Sequence, residues 1–140
     1  TPPARTGPTR YRILLAEDLE DNREVIMLFL KSTAYDLDPA ENGAVALQKF
    51  RSGHYDLVLM DMQMPVMDGY TATAEIRTWE QAQHRTPTPI LALTANAFQE
   101  DVERSLASGC TAHLTKPIKK TTLLAALDQY LGVPSKRAAA

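Results

Sequence analysis

A single cysteine, Cys110, stands among 140 residues. That excludes an internal disulfide and any metal site built from clustered thiolates, and it suits a reducing compartment. No charge of one sign dominates, because 15 Lys and Arg face 17 Asp and Glu for a net charge of −2. The chain therefore lacks the basic footprint that nucleic acid or an anionic membrane surface would select. Hydrophobic residues make up 44 % of the sequence, yet they form no uninterrupted run able to span a bilayer, and no charged-then-apolar leader opens the chain. No repeat of solenoid period is present. What remains is the expectation of one cytoplasmic domain of ordinary size, with its own core, monomeric or weakly dimeric. The first residue is Thr1 and not methionine, so a segment of a longer chain is expected.

What is there is organised around Leu57, Val58, Leu59, Met60 and Asp61, an apolar run that delivers one carboxylate and breaks soon after at Pro65. A run this short and apolar fits a central strand of a parallel sheet covered on both faces, with the acid at its carboxyl end. Residues 1–10 hold three prolines and little that could be buried, so a linker or tail is expected there, and a frayed tail over residues 133–140. Between them lies one domain over residues 11–132. Strands are expected at 11–16, 35–40, 55–60, 90–93 and 110–114. Helices are expected after Asp21 or Asn22 as cap, from Ala44 to a stop near Gly53, from Tyr70 until Pro87 and Pro89 end the segment, over residues 97–108 before Gly109, and over residues 121–131. Five strand–helix alternations call for a parallel sheet with helices on both faces and right-handed crossovers.

Ligands of such sheets bind beyond the carboxyl ends of the strands. Strands one, three, four and five end in Glu17 and Asp18, Asp61, Thr94 and Lys116, so four separate stretches converge on one edge. Carboxylates pooled there repel one another unless a cation sits among them, and hard oxygen ligands suit Mg²⁺. A divalent cation beside the Lys116 ammonium is what an incoming phosphoryl group needs, Thr94 offers a hydroxyl donor, and Asp61 is the candidate nucleophile.

Leu14, Leu15, Ala16, Glu17 and Asp18; the stretch from Met60 through Asp61, Pro65 and Asp68 to Gly69; Leu93, Thr94 and Ala95; and Leu114, Thr115, Lys116, Pro117 and Ile118 carry a family resemblance. In this order they resemble the motifs of two-component response regulator receiver domains, over about residues 11–131. The resemblance implies a flavodoxin-like (βα)5 fold with strand order 2-1-3-4-5. It implies that Asp61 accepts a phosphoryl group from a phosphohistidine, that Glu17, Asp18, Asp61 and the backbone carbonyl of Met62 surround Mg²⁺, and that Thr94 and Lys116 meet the phosphoryl oxygens. A cis Lys116–Pro117 peptide is implied as well. Gln63 and Asn96 fall where the family tunes hydrolysis of the phosphoryl group. At the position three before the lysine the family usually carries Tyr or Phe as the switch partner of the threonine, and here it is His113.

The wording of the motifs resembles receivers fused to histidine kinases more than those fused to DNA-binding domains. The implied partners are a histidine kinase or a histidine phosphotransfer domain, docking on the first helix, where Val25, Ile26 and Phe29 cannot all face the sheet. An aspartate phosphatase of the haloacid-dehalogenase type would want a second aspartate where Gln63 stands, and a flavodoxin-like electron carrier would not place Glu17 and Asp18 in its phosphate loop. The remaining alternative is a pseudo-receiver that binds without being phosphorylated. Asp68 and Gly69 read as a turn.

Overall fold

The structure, a computed structural model, describes residues 10–95 and 98–131; the expected flanking tails, Arg10 apart, and Asn96 and Ala97 lie outside them. Five strands, β1 (Tyr11–Ala16), β2 (Tyr35–Ala40), β3 (Leu57–Asp61), β4 (Ile90–Thr94) and β5 (Ala112–Thr115), alternate with α1 (Glu20–Leu30), α2 (Gly43–Ser52), α3 (Gly69–Ala82), α4 (Gln99–Ser108) and α5 (Lys120–Leu131). All pairings are parallel, in the order β2-β1-β3-β4-β5. The expected three-layer fold and strand order are therefore the observed ones.

Strand alternation builds two cores. Ile13, Leu15, Leu57, Leu59, Leu91 and Leu93 pack with Ile26 and Leu30 of α1 and Leu123 and Leu127 of α5. Leu14, Val58, Met60, Ile90 and Ala92 face the other way, toward Ala46, Leu47 and Phe50 of α2 and Ala72 and Ile76 of α3. Burial on both faces is why these strands are continuous apolar runs and not alternating ones. Met60 and Cys110 sit in the second core, and Trp79 lies against it with its ring edge-on to Phe50. β2 is an edge strand, which lets Pro39 take a place in it.

Several boundaries differ from expectation. The cap of α1 is Leu19, not Asp21 or Asn22, and no side chain caps it; the Glu17 carboxylate instead takes the Leu19 N–H, so the helix starts early and Asp21 and Asn22 fall in its first turn. α2 and α3 do have side-chain caps, Asn42 bonding the Val45 N–H at 2.9 Å and Asp68 the Thr71 N–H at 2.8 Å. α3 ends at Ala82, well before Pro87 and Pro89, which lie in the connection to β4. α4 begins at Gln99 and closes on Gly109 in the left-handed conformation at φ 116°. Cys110 spends its N–H on the Ser105 carbonyl to finish that closure, which delays β5 to Ala112. β3 starts at Leu57 and includes Asp61 as its last residue.

Candidate functional site

Register brings the site together. Ala16 is opposite Met60, Asp61 opposite Leu93, and Thr94 opposite Thr115, so the residues that end four strands lie at one edge. Glu17, Asp61 and Lys116 continue the alternation of Ile13 and Leu15, Leu57 and Leu59, and Ala112 and Leu114, and so share one face of the sheet. That common parity lets one long lysine side chain reach both acids.

Lys116 Nζ donates to Asp61 Oδ2 at 3.0 Å and lies 3.0 Å from Glu17 Oε1. The second contact is an ion pair by distance only, because Oε1, fully buried, has no hydrogen-bond partner among the described residues. Glu17 is otherwise gripped closely. Its N–H donates to the Ala40 carbonyl at 3.0 Å, its Oε2 accepts the Leu19 N–H at 3.2 Å, and its carbonyl accepts Arg23 Nη1 at 2.7 Å. Asp61, 3 % exposed, also accepts the Gln63 N–H at Oδ1, 3.1 Å away. Asp18 is half-buried, and one ligand oxygen from each of Glu17, Asp18 and Asp61 lies within 4.8 Å of the others.

Burial pushes the Asp61 carboxyl up to about 6; the Gln63 N–H and the Lys116 ammonium oppose the rise, and the charge on Glu17 adds to it. Burial also drives the Glu17 carboxyl up, but the Lys116 ammonium and the Leu19 N–H outweigh it and hold the group below the usual carboxylate range. Lys116 shows the mirror effect: burial lowers its ammonium, and the two carboxylates more than restore it. Three acids to one lysine, with a buried carboxylate oxygen left unbonded, is a donor set short of positive charge. Its short-range oxygen ligands fit a hard divalent cation.

The other expected residues take these places. The Met62 carbonyl accepts the Gly69 N–H at 3.1 Å and retains a second lone pair. Thr94 is buried, and its carbonyl accepts the Lys116 N–H at 2.7 Å. The Lys116–Pro117 peptide is cis. Gln63 is exposed and reaches Asp61 through its backbone; His113 is half-buried in β5 opposite Ala92. Val25 is exposed, Phe29 half-buried and Ile26 buried, so Val25 is the apolar residue of that trio turned outward. Beside the site a groove of about 380 Å³ runs between Val25 and Ile26 of α1 and Pro117 and Ile118. A larger hollow, about 580 Å³, lies away from the acids between the end of α1 and the start of β2.

Two contacts escaped the sequence reading. Gly69 is more than a turn residue: a Cβ there would meet the Asp61 carbonyl oxygen at 2.2 Å, so only glycine lets α3 start this close to the end of β3. Arg23 was legible as part of the Asp21, Asn22 and Arg23 wording that resembles kinase-fused receivers, but nothing in a linear spacing signals that it bonds back to Glu17.

The sequence profile of the response regulator receiver domain family matches residues 13–128. The sensor histidine kinase GacS of Pseudomonas protegens is 38 % identical over 122 residues, which cover 87 % of this chain and 13 % of the kinase. The chain thus spans a small part of that relative's length. The receiver domain of sensor histidine kinase PA1611 from Pseudomonas aeruginosa, solved with a magnesium ion in its active site cleft, superposes with a TM-score of 0.79 at 39 % identity, covering 89 % of this chain and all of that one (100 %). The co-crystal structure of the yeast (Saccharomyces cerevisiae) histidine phosphotransfer protein Ypd1 with the receiver domain of Ssk1 gives a TM-score of 0.84 at 30 % identity, over 87 % of this chain and 89 % of that one.

Proposed function

The chain belongs to the response regulator receiver domain family, and from that premise we propose that Asp61 is its phosphoacceptor, taking a phosphoryl group from a phosphohistidine in a two-component phosphorelay. The observation that carries the reading is the meeting of Glu17, Asp61 and Lys116 through contacts of 3.0 Å, with Asp18 close by. Glu17, Asp18, Asp61 and the Met62 carbonyl would hold Mg²⁺, and the bound ion supplies positive charge against the phosphoryl oxygens.

In the transfer an Asp61 carboxylate oxygen bonds to phosphorus as the donor's phosphorus–nitrogen bond breaks, and that electron pair stays on the imidazole. Asp61 attacks as the carboxylate, the form that the Lys116 ammonium and the Gln63 N–H favour against burial. The Lys116 ammonium, held by Asp61 beforehand, turns to a phosphoryl oxygen of the acyl phosphate, and the Thr94 hydroxyl donates to another. Thr94 with His113 forms the switch, and Gln63 and Asn96, by their places in the family motifs, tune hydrolysis of the phosphoryl group. The activity is limited to the domain's own phosphorylation and dephosphorylation. A receiver that signals without phosphorylation is not favoured, because acid pair, acceptor, hydroxyl and lysine are all retained.

The domain spans residues 11–132, between a linker or tail over residues 1–10 and a tail over residues 133–140, and it serves a hybrid histidine kinase in the cytoplasm. Its partner is a histidine-bearing helical phosphotransfer domain that docks on α1 near Val25 and the groove toward Pro117; the yeast complex, a receiver 30 % identical bound to such a protein, supports this pairing. Incubation with acetyl phosphate should add one phosphoryl group to the wild type only when Mg²⁺ is present, and none to Asp61→Asn. Modification that survives the substitution, or that needs no metal, would overturn the assignment.

A further inference from the structure

We propose that Arg23 is a positioning residue for the metal-binding acids, fixing the backbone of Glu17 so that the three carboxylates converge. The proposal rests on the Mg²⁺ reading above. Arg23 reaches back from α1 to donate Nη1 to the Glu17 carbonyl at 2.7 Å, while its own N–H donates to the Leu19 carbonyl at 3.1 Å. The turn at residues 17–19 is therefore closed from the helix side by both ends of one residue. From the sheet side the Ala40 carbonyl holds the Glu17 N–H, and within the turn the Leu19 N–H holds Oε2. With these four bonds made, the backbone of the turn and one carboxylate oxygen are held, and among the described residues Oε1 is the oxygen left without a hydrogen-bond partner, fully buried beside Asp61 and Lys116.

The charge on Arg23 argues the other way. A guanidinium bonded to the backbone of a cation ligand is a fixed positive charge near the cation, and Coulomb repulsion alone makes it a liability for affinity. Clamp and charge thus predict opposite signs when Arg23 is removed. Residues that orient metal ligands from outside the coordination sphere are commonly worth tenfold or more in affinity, which exceeds what one half-exposed charge screened by water exerts.

The test is calorimetric titration of the full 140-residue chain with Mg²⁺, at a temperature where circular dichroism shows each variant folded. Arg23→Met keeps the aliphatic stem and loses donors and charge; its Mg²⁺ affinity should fall about tenfold. Arg23→Lys keeps the charge and one donor and should restore affinity to within about threefold of wild type. If Arg23→Met does not fold, Arg23→Gln repeats the comparison with the same expected direction. Binding by the neutral variant as tight as wild type, or tighter, would show that Arg23 acts only as a charge and would overturn the proposal. Absence of Mg²⁺ binding by the wild type would instead remove the metal reading itself, and this proposal with it.

Discussion

Two buried charge clusters sit at opposite ends of the sheet, and they are finished differently. At the amino end of β4, Glu80, 2 % exposed, receives Arg77 Nη1 on one oxygen and the Thr88 N–H on the other, each at 2.8 Å. Arg77 also donates to the carbonyls of Gly109 and Thr88 at 2.9 and 2.8 Å and to Thr111 Oγ1 at 3.4 Å. One cation meets one anion, and the Glu80 oxygens are both bonded. At the carboxyl end Glu17 and Asp61 share Lys116 with Asp18 close by, and among the described residues Glu17 Oε1 has no hydrogen-bond partner. A closed cluster ties α3 to the strand and turn beside it. An open one keeps free energy in reserve for whatever arrives to complete it.

Breaking the closed cluster should give the largest effect. Arg77→Ala leaves Glu80 charged and buried without its cation, and should cost about 3–5 kcal/mol in urea unfolding, with acetyl phosphate modification of the folded protein unchanged. Gly69→Ala attacks the open cluster through the backbone: a methyl 2.2 Å from the Asp61 carbonyl must displace the start of α3. A loss of about 2–3 kcal/mol is expected, together with slowed modification of Asp61, read by intact mass.

Removing charge from the open cluster should do the reverse. Asp61→Asn keeps the shape and deletes one of the acids competing for Lys116, so in metal-free buffer at pH 7 it should stabilise the fold by about 1 kcal/mol or more. Equal destabilisation by Arg77→Ala and Asp61→Asn would erase the distinction between the two ends.

The smallest effect comes from a third, more exposed cluster. Burial raises the Asp38 carboxyl, but Lys49, with Nζ 2.7 Å away, Tyr55 and Arg12 outweigh it and hold the group below its ordinary value. A carboxyl depressed in the folded state lends stability that is present above its unfolded value, about 3.9, and lost as pH falls through the folded one. Asp38→Asn should therefore lower stability at pH 7 by about 1 kcal/mol, and the gap between the two proteins should close below about pH 4. The check is chemical denaturation across that range.

The fold was legible because its strongest signals are also its physics. Leu57 to Met60 and Ile90 to Leu93 are apolar without interruption since both sheet faces are covered, and an acid or hydroxyl after such a run must lie at the strand's end. The same reasoning located Glu17, Asp61, Thr94 and Lys116, and the parallel register then brought their strand ends to one edge. What stayed hidden depends on three-dimensional closure. The first turn of α1 is set by a carboxylate that takes the Leu19 N–H, β5 waits for Cys110 to finish α4, and the closeness of Gly69 to Asp61 follows from where α3 is laid down. None of these leaves a periodic or compositional trace.

The most direct test of the difference between the two clusters is thermal melting with and without Mg²⁺. Wild type should rise by about 5 °C or more at saturating metal, Arg77→Ala should start lower and rise as much, and Glu17→Gln, which removes the charge on the unbonded oxygen's carboxyl, should barely move. A wild type whose melting temperature ignores Mg²⁺, or a Glu17→Gln variant that rises equally, would contradict the account.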